Sequence, residues 1–154
     1  MGHRISAILL RDQYDTARAL DFGLLPIPLP FGLTMFPLDD NFCDDWVEKL
    51  NLPGFLSARP LLNAHVVHHF VASIAEEPLF AIIETDYFSG LGEQAAAVYR
   101  GQTEIMPPEV AGAGPINKAL RHLGVVAQSG LDEFDTVGLG EFRNFDDLRV
   151  IGVN

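Results

Sequence analysis

The chain has 154 residues, a length typical of one domain that buries its own core, and 48% of its residues are hydrophobic. Its net charge of −11 disfavours nucleic acids and anionic membranes as partners, because their phosphate groups are bound by Lys and Arg side chains. The single cysteine, Cys43, excludes an intrachain disulfide, and no apolar run approaches the roughly 20 residues of a membrane-spanning helix. We therefore expect one soluble cytoplasmic domain over residues 1–154.

The N-terminal part predicts a strand, a short helix and an extended segment. Residues 5–10 (ISAILL) are typical of a buried strand, and residues 12–22 predict a helix that stops at Gly23. Residues 24–38 contain four prolines, which are unfavourable in helices and central strands. We expect an extended segment at the edge of a sheet or a polyproline-like stretch, packed as a surface crossover.

Two further helices are predicted before the middle of the chain. One begins at Asp40 or Asn41, whose side chains can accept hydrogen bonds from the first helical amides, and stops at Pro53-Gly54. Apolar residues at a spacing of four predict another helix over residues 59–76. The β-branched residues of HVVHHFV make a strand the alternative for that segment.

The second half predicts three strands and a helix. LFAIIETDYF (79–88) predicts a strand whose two faces are Leu79, Ala81, Ile83, Thr85 and Phe80, Ile82, Glu84, Asp86. Further strands are expected over 94–100 and 103–106, before Pro107-Pro108 interrupts the chain. Residues 115–123 predict a helix with proline at its first position. The acidic C-terminal residues predict short helical turns and a possible last strand. The fold class is therefore α+β, with a mostly antiparallel sheet and three or four packed helices.

The segment FSGLGEQ (88–94) between the first two of these strands contains two glycines, Gly90 and Gly92. It lacks the third glycine of a dinucleotide-binding loop and the Gly-Lys-Ser/Thr of a Walker loop. A steric role is favoured, in which glycine allows positive φ and close backbone approach where the strands turn.

Acidic and aromatic side chains surround this turn. Glu84 and Asp86 are expected on one face of their strand, about 7 Å apart. They could bind a divalent cation or act as an acid and base pair, or they could be solvated residues on an open face. Tyr87 and Phe88 are of the aromatic class that is enriched in contact sites.

His65 and His69 would share a helix face at a metal-ligand spacing, but the glutamate of a HExxH motif is absent. They are weak metal candidates, and surface or half-buried histidines are the alternative. The acid beside Cys43 disfavours a thiolate nucleophile. No catalytic residues and no cofactor are predicted.

Three segments, AIIETDYFSGLGEQAAAVYRG, GPINKALRHLGV and DEFDTVGLGEFR, carry a resemblance over roughly residues 79–149. The chain resembles small acidic bacterial proteins of unknown function that have a strand–GxGxQ–strand motif and a PINxAL helix, and these resemble immunity-type partners of secreted toxins. The matched positions are Tyr87, Gly90, Gly92, Glu93 and Gln94. Ser89 departs from the pattern, where a glycine is expected. The resemblance implies no catalytic role.

The function favoured by these observations is that of an acidic cytoplasmic binding protein, an immunity-type inhibitor of a basic bacterial toxin. The residues expected to bind the partner are Glu84, Asp86, Tyr87, Phe88, Gly90, Gly92, Glu93 and Gln94. Two alternatives remain open. One is a small metal-dependent hydrolase that uses Glu84, Asp86 and Glu93 with a histidine; the other is a structural or scaffolding protein.

Overall fold

The computed structural model describes residues 2–11, 13–51, 65–89 and 91–142. The strands in these ranges are β1 (Gly2–His3), β2 (Ser6–Leu10), β3 (Ile27–Leu29), β4 (Leu33–Leu38), β5 (Leu79–Phe88), β6 (Leu91–Arg100) and β7 (Thr103–Ala111). The helices are α1 (Thr16–Phe22), α2 (Asp40–Leu50), α3 (His65–Ile74), α4 (Pro115–His122) and α5 (Glu133–Thr136).

The strands form one antiparallel sheet in the order β3-β4-β2-β5-β6-β7. The short strand β1 pairs with β5 near the end of β5, where Gly2 lies opposite Phe88. β5 and β6 pair from Leu79 opposite Arg100 to Phe88 opposite Leu91. The predicted α+β class with a mostly antiparallel sheet is confirmed.

The side chains of β5 alternate between two hydrophobic cores, one on each face of the sheet. Leu79, Ala81 and Ile83 belong to the core that contains the buried side of α4, and we call this side of the sheet the α4 face. Phe80 and Ile82 belong to the core that contains residues of α1, α2 and α3, which we call the α3 face. Each fully buried Ile, Leu or Phe contributes about 1.5–3 kcal/mol to folding. The sheet is therefore the middle of three layers, and the predicted alternation of β5 is confirmed.

In two proline-rich segments the strands extend further into the sheet or along the chain than the sequence predicted. β4 lies between β3 and β2, with Pro37 opposite Ala7, so the expectation that residues 24–38 lie only at an edge was wrong. β3 pairs with β4 only as far as Met35. Pro37 lies beyond that point, where β4 has no β3 partner, and a missing amide there removes no hydrogen bond to β3.

β7 runs through Pro107-Pro108, which were expected to interrupt the chain after Met106. The expectation was wrong because β7 lies at the edge of the sheet, where proline is tolerated. The pairing of β6 with β7 also shifts register around Val98, which faces Met106. This irregularity accommodates the two prolines without breaking the strand.

The ends of α1 and α4 follow their sequence signals, but α1 begins at Thr16, after its cap Asp15, and not at the predicted residue 12. α1 stops at Gly23, whose φ is 85°, and the buried residues of α4 include Ile116, Ala119 and Leu120. α2 is capped by Asp39, whose carboxylate accepts the amide of Asn41 at 2.7 Å, so the cap lies before both predicted positions, Asp40 and Asn41.

α3 resolves the choice between helix and strand in favour of the helix. The predicted start of α3 near residue 59 lies outside the described residues. The same holds for the predicted stop of α2 at Pro53-Gly54 and for the predicted last strand of the chain. Every helix in the described ranges is too short or too polar to cross a lipid bilayer.

Candidate functional site

The FSGLGEQ segment forms the end of the β5–β6 hairpin. Phe88 lies opposite Leu91, and Ser89 enters the turn with a left-handed φ of 52°. Gly90 lies outside the described residues. β6 begins at Leu91, earlier than the predicted start at Gln94. The early start carried no strand signal in the sequence, because it includes Gly92 and glycine is depleted in strands.

Gly92 occupies a position on β6 that no other residue fits. Its φ is 148°, and a Cβ atom added there would lie 1.9 Å from the carbonyl oxygen of Asp86 and 2.8 Å from the Cα of Tyr87. Both neighbours are backbone atoms, so they cannot swing aside as the end of a side chain would. The predicted steric role of this glycine is confirmed.

Four side chains at the end of the hairpin form an exposed surface that we call the tip patch: Asp86, Phe88, Leu91 and Glu93. Asp86 lies opposite Glu93, and Phe88 lies opposite Leu91. Because side chains alternate along a strand, all four point to the α3 face. Phe88 is 73% and Leu91 is 78% exposed, and both carboxylates are exposed beside them. Large exposed apolar side chains with a polar rim are typical of protein contact surfaces.

Glu84 points to the same face but is buried, with 8% of its surface exposed. It lies opposite Ala95, within the covered part of the sheet. The interpretation of Glu84 and Asp86 as two solvated carboxylates therefore holds for Asp86 alone. The accessible acidic pair at the hairpin is the cross-strand pair Asp86 and Glu93.

Tyr87 and Gln94 point to the α4 face and connect the hairpin to the start of α4. The Gln94 side-chain amide donates to the Tyr87 hydroxyl at 3.0 Å, and its oxygen accepts the backbone amide of Ile116 at 2.7 Å. The Tyr87 hydroxyl donates to the carbonyl of Gly112. The cap residue of α4 is Gly114, which has no side chain, so Gln94 supplies the acceptor from another strand.

A pocket of about 220 Å³ lies beside this network. Its lining residues are His3, Tyr87, Gln94, Ala113, Gly114, Asn117, Asp132 and Phe134. Asn117 fixes the α5 side of the pocket: its side chain donates to Asp132 at 3.1 Å and accepts the backbone amide of Phe134 at 2.9 Å. The three segments that carry the resemblance therefore meet at one place.

His3 closes the other side of this pocket. Its Nε2 atom donates to the carbonyl of Leu139 at 3.0 Å, and Nδ1 shares a hydrogen bond of 2.7 Å with the Thr85 hydroxyl. The His3 ring lies 5.4 Å from that of Phe134. These contacts fix the ring in place on the α4 face.

The histidines of α3 lie in different environments. His65 is exposed, and the ring of His69 lies 6.0 Å from that of Phe22. His68 packs against Phe80 and Tyr99, and its burial, followed by the charge of His65, lowers its pKa. The described residues contain no group of three or more His, Cys, Asp or Glu that could hold a metal ion. Cys43 is fully buried in the core on the α3 face.

Six of the eight lining residues were not predicted as site residues: His3, Ala113, Gly114, Asn117, Asp132 and Phe134. Asn117 and Asp132 each had a signal, since Asn117 belongs to the PINxAL segment and Asp132 is a side-chain cap at the start of α5, where it accepts the amide of Asp135 at 2.8 Å. His3 had no signal, because its partners Thr85 and Leu139 are distant in sequence.

Comparisons of the chain with protein-family models, with curated proteins and with solved structures give no match.

Proposed function

We propose that the protein binds a basic protein partner through the tip patch, and that it is an immunity-type inhibitor of a bacterial toxin in the cytoplasm. The observation that carries the proposal is the pair of exposed apolar side chains, Phe88 and Leu91, beside the carboxylates of Asp86 and Glu93. An apolar centre with a charged rim is the arrangement of a specific protein interface.

The charge of the chain supports the sign of the partner. A net charge of −11 attracts a basic surface over a distance and raises the rate of encounter. A toxin that acts on nucleic acid needs a cationic cleft, which an acidic inhibitor complements. The resemblance of residues 79–149 to immunity-type proteins points in the same direction.

The hydrolase alternative needs Glu84, Asp86 and Glu93 to converge with a histidine on one pocket. Glu84 is buried, whereas Asp86 and Glu93 are exposed at the end of the hairpin. No observation on the described residues favours a scaffolding function over binding of a partner. Binding of a basic partner is the function that the geometry of the hairpin supports best.

The test is co-expression with the protein encoded by the neighbouring gene, followed by size exclusion at low and high salt. We expect a stoichiometric complex that weakens as salt rises, because exposed charges are screened. Phe88→Ala and Leu91→Ala should each weaken the complex by about ten-fold or more, as central interface residues do.

Leu20→Ala is the matched control, since Leu20 is 61% exposed on α1, away from the hairpin. Asp86→Asn with Glu93→Gln should slow association and reduce its salt dependence, while Glu104→Gln on β7 should change neither. Equal losses for Leu20→Ala and Phe88→Ala, or separate elution of the two proteins at low salt, would show that the proposal is wrong.

A further inference from the structure

We infer that the pocket on the α4 face of the hairpin is a receptor for a guanidinium group, which an arginine side chain of the basic partner supplies. The protein source of the arginine rests on the proposed function. The guanidinium chemistry rests on the pocket itself. The pocket and the tip patch occupy opposite faces of the same hairpin end, since Tyr87 lines the pocket and Phe88 follows it in the patch.

The carboxylate side chain at the pocket favours a cation. Its lining contains one carboxylate, Asp132, and neither lysine nor arginine. The lysine and arginine of α4 are engaged with other acids, Lys118 with Glu109 at 2.9 Å and Arg121 with Glu133 at 2.6 Å. Neither Lys118 nor Arg121 therefore supplies a cation to the pocket.

The carboxylate of Asp132 retains capacity to accept further hydrogen bonds. Its Oδ1 accepts the amide of Asp135, and its Oδ2 accepts the side-chain amide of Asn117. A carboxylate has about four acceptor sites, so one on each oxygen remains. Two parallel N–H donors of a guanidinium match such a pair of oxygens, whereas an ammonium group does not.

The remaining walls suit the flat, weakly hydrated face of a guanidinium. Tyr87 and Phe134 supply aromatic rings, on which arginine stacks with a cation–π contribution. A volume of about 220 Å³ accommodates one side chain rather than a larger ligand. The hydrogen bonds of Gln94 and Asn117 fix the walls before binding, so little ordering is needed.

In the first experiment, the wild-type protein is titrated with four probes, and binding is measured by the NMR chemical shifts of backbone and side-chain amides. The probes are N-acetyl-arginine amide, the equivalent citrulline and lysine amides, and free arginine. We expect saturable shifts from the capped arginine at Asn117, Gly114 and Phe134. Citrulline has the same shape without the charge and should bind about ten-fold or more weakly; lysine should also be weaker.

Two outcomes of this titration would overturn the inference. Equal binding of citrulline and arginine would show that the pocket recognises shape and not a cation. Tighter binding of free arginine than of the capped form would assign the pocket to a small metabolite instead of a protein side chain.

Asp132→Asn and Asp135→Asn form a matched pair, because each removes one negative charge from the α5 region while only Asp132 lines the pocket. Asparagine at 132 keeps an oxygen that can cap α5. We expect Asp132→Asn to lower the affinity for capped arginine by about ten-fold, and Asp135→Asn to lower it by about two-fold or less. Equal effects, with both variants melting as the wild type does, would overturn the inference. These titrations need no partner, so their failure is distinct from failure to form the complex.

Discussion

Gly92 shows how a single missing methyl group keeps two strands in register at the end of the hairpin. With a Cβ atom 1.9 Å from a backbone oxygen, the strands would have to separate at Asp86. We predict that Gly92→Ala lowers the free energy of unfolding by about 2–4 kcal/mol, measured by urea denaturation. Gly112→Ala is the control: its nearest neighbour would be 3.9 Å away, and a change within about 0.5 kcal/mol is expected. Similar losses for the two variants would contradict this account.

His68 provides a prediction about pH. Its ring lies 4.5 Å from that of Tyr99, and burial lowers its pKa below the ordinary value of 6.5. The unfolded chain therefore binds this proton at a higher pH than the folded chain does. Stability is fully present above about pH 6.5 and falls as the pH drops below that value towards the folded pKa.

The measurement is urea denaturation between about pH 7.5 and pH 5, with His68→Phe as the variant. Phenylalanine keeps an aromatic ring against Tyr99 and removes the titrating group, so the loss of stability at acidic pH should be smaller. His122→Gln is the control, because His122 is exposed at the end of α4. An unchanged pH profile in His68→Phe would show that other groups cause the loss.

At the scale of elements, Gln94 ties the hairpin to α4 by capping a helix from a neighbouring strand. Gln94→Ala removes the acceptor of the Ile116 amide and the donor to Tyr87, and should lower the free energy of unfolding by about 1–2 kcal/mol. Gln94→Glu keeps the acceptor and adds negative charge at the helix start, so its loss should be smaller.

Chemical denaturation and hydrogen exchange at the Ile116 amide measure these effects. Gln102→Ala, in the exposed turn between β6 and β7, is the control and should leave both quantities unchanged. If Gln94→Ala leaves exchange at Ile116 as slow as in the wild type, the helix is capped by another group.

Elements with a local signal were predictable, and elements decided by their neighbours were not. β5 starts with a continuous apolar run and its first seven residues are buried, and α4 has proline at its start and a stripe of buried apolar residues. β4 and β7 contain prolines whose tolerance depends on which edge of the strand is paired, a property of the assembled sheet. The early start of β6 depended on Gly92, whose role appears only beside the backbone of β5.

At the scale of the whole molecule, the same distinction separates the two proposed contact regions. The tip patch is contained in one hairpin, so predicting the hairpin was enough to bring Asp86 and Phe88 near Glu93. The pocket joins His3 to Asp132 from opposite parts of the chain. No local sequence pattern indicates that these two residues lie close together, because their proximity results from the packing of α4 and α5 on the sheet.

Both edge strands of the sheet, β3 and β7, contain proline, and this affects how the free protein can associate with other chains. β3 is a three-residue strand with Pro28 at its centre, and β7 carries Pro107-Pro108 in its middle. Neither border presents a long unbroken row of amides on which another chain could add a strand, which is the first step of ordered aggregation. The free protein can therefore remain monomeric at concentrations at which a sheet with open, proline-free edges would associate.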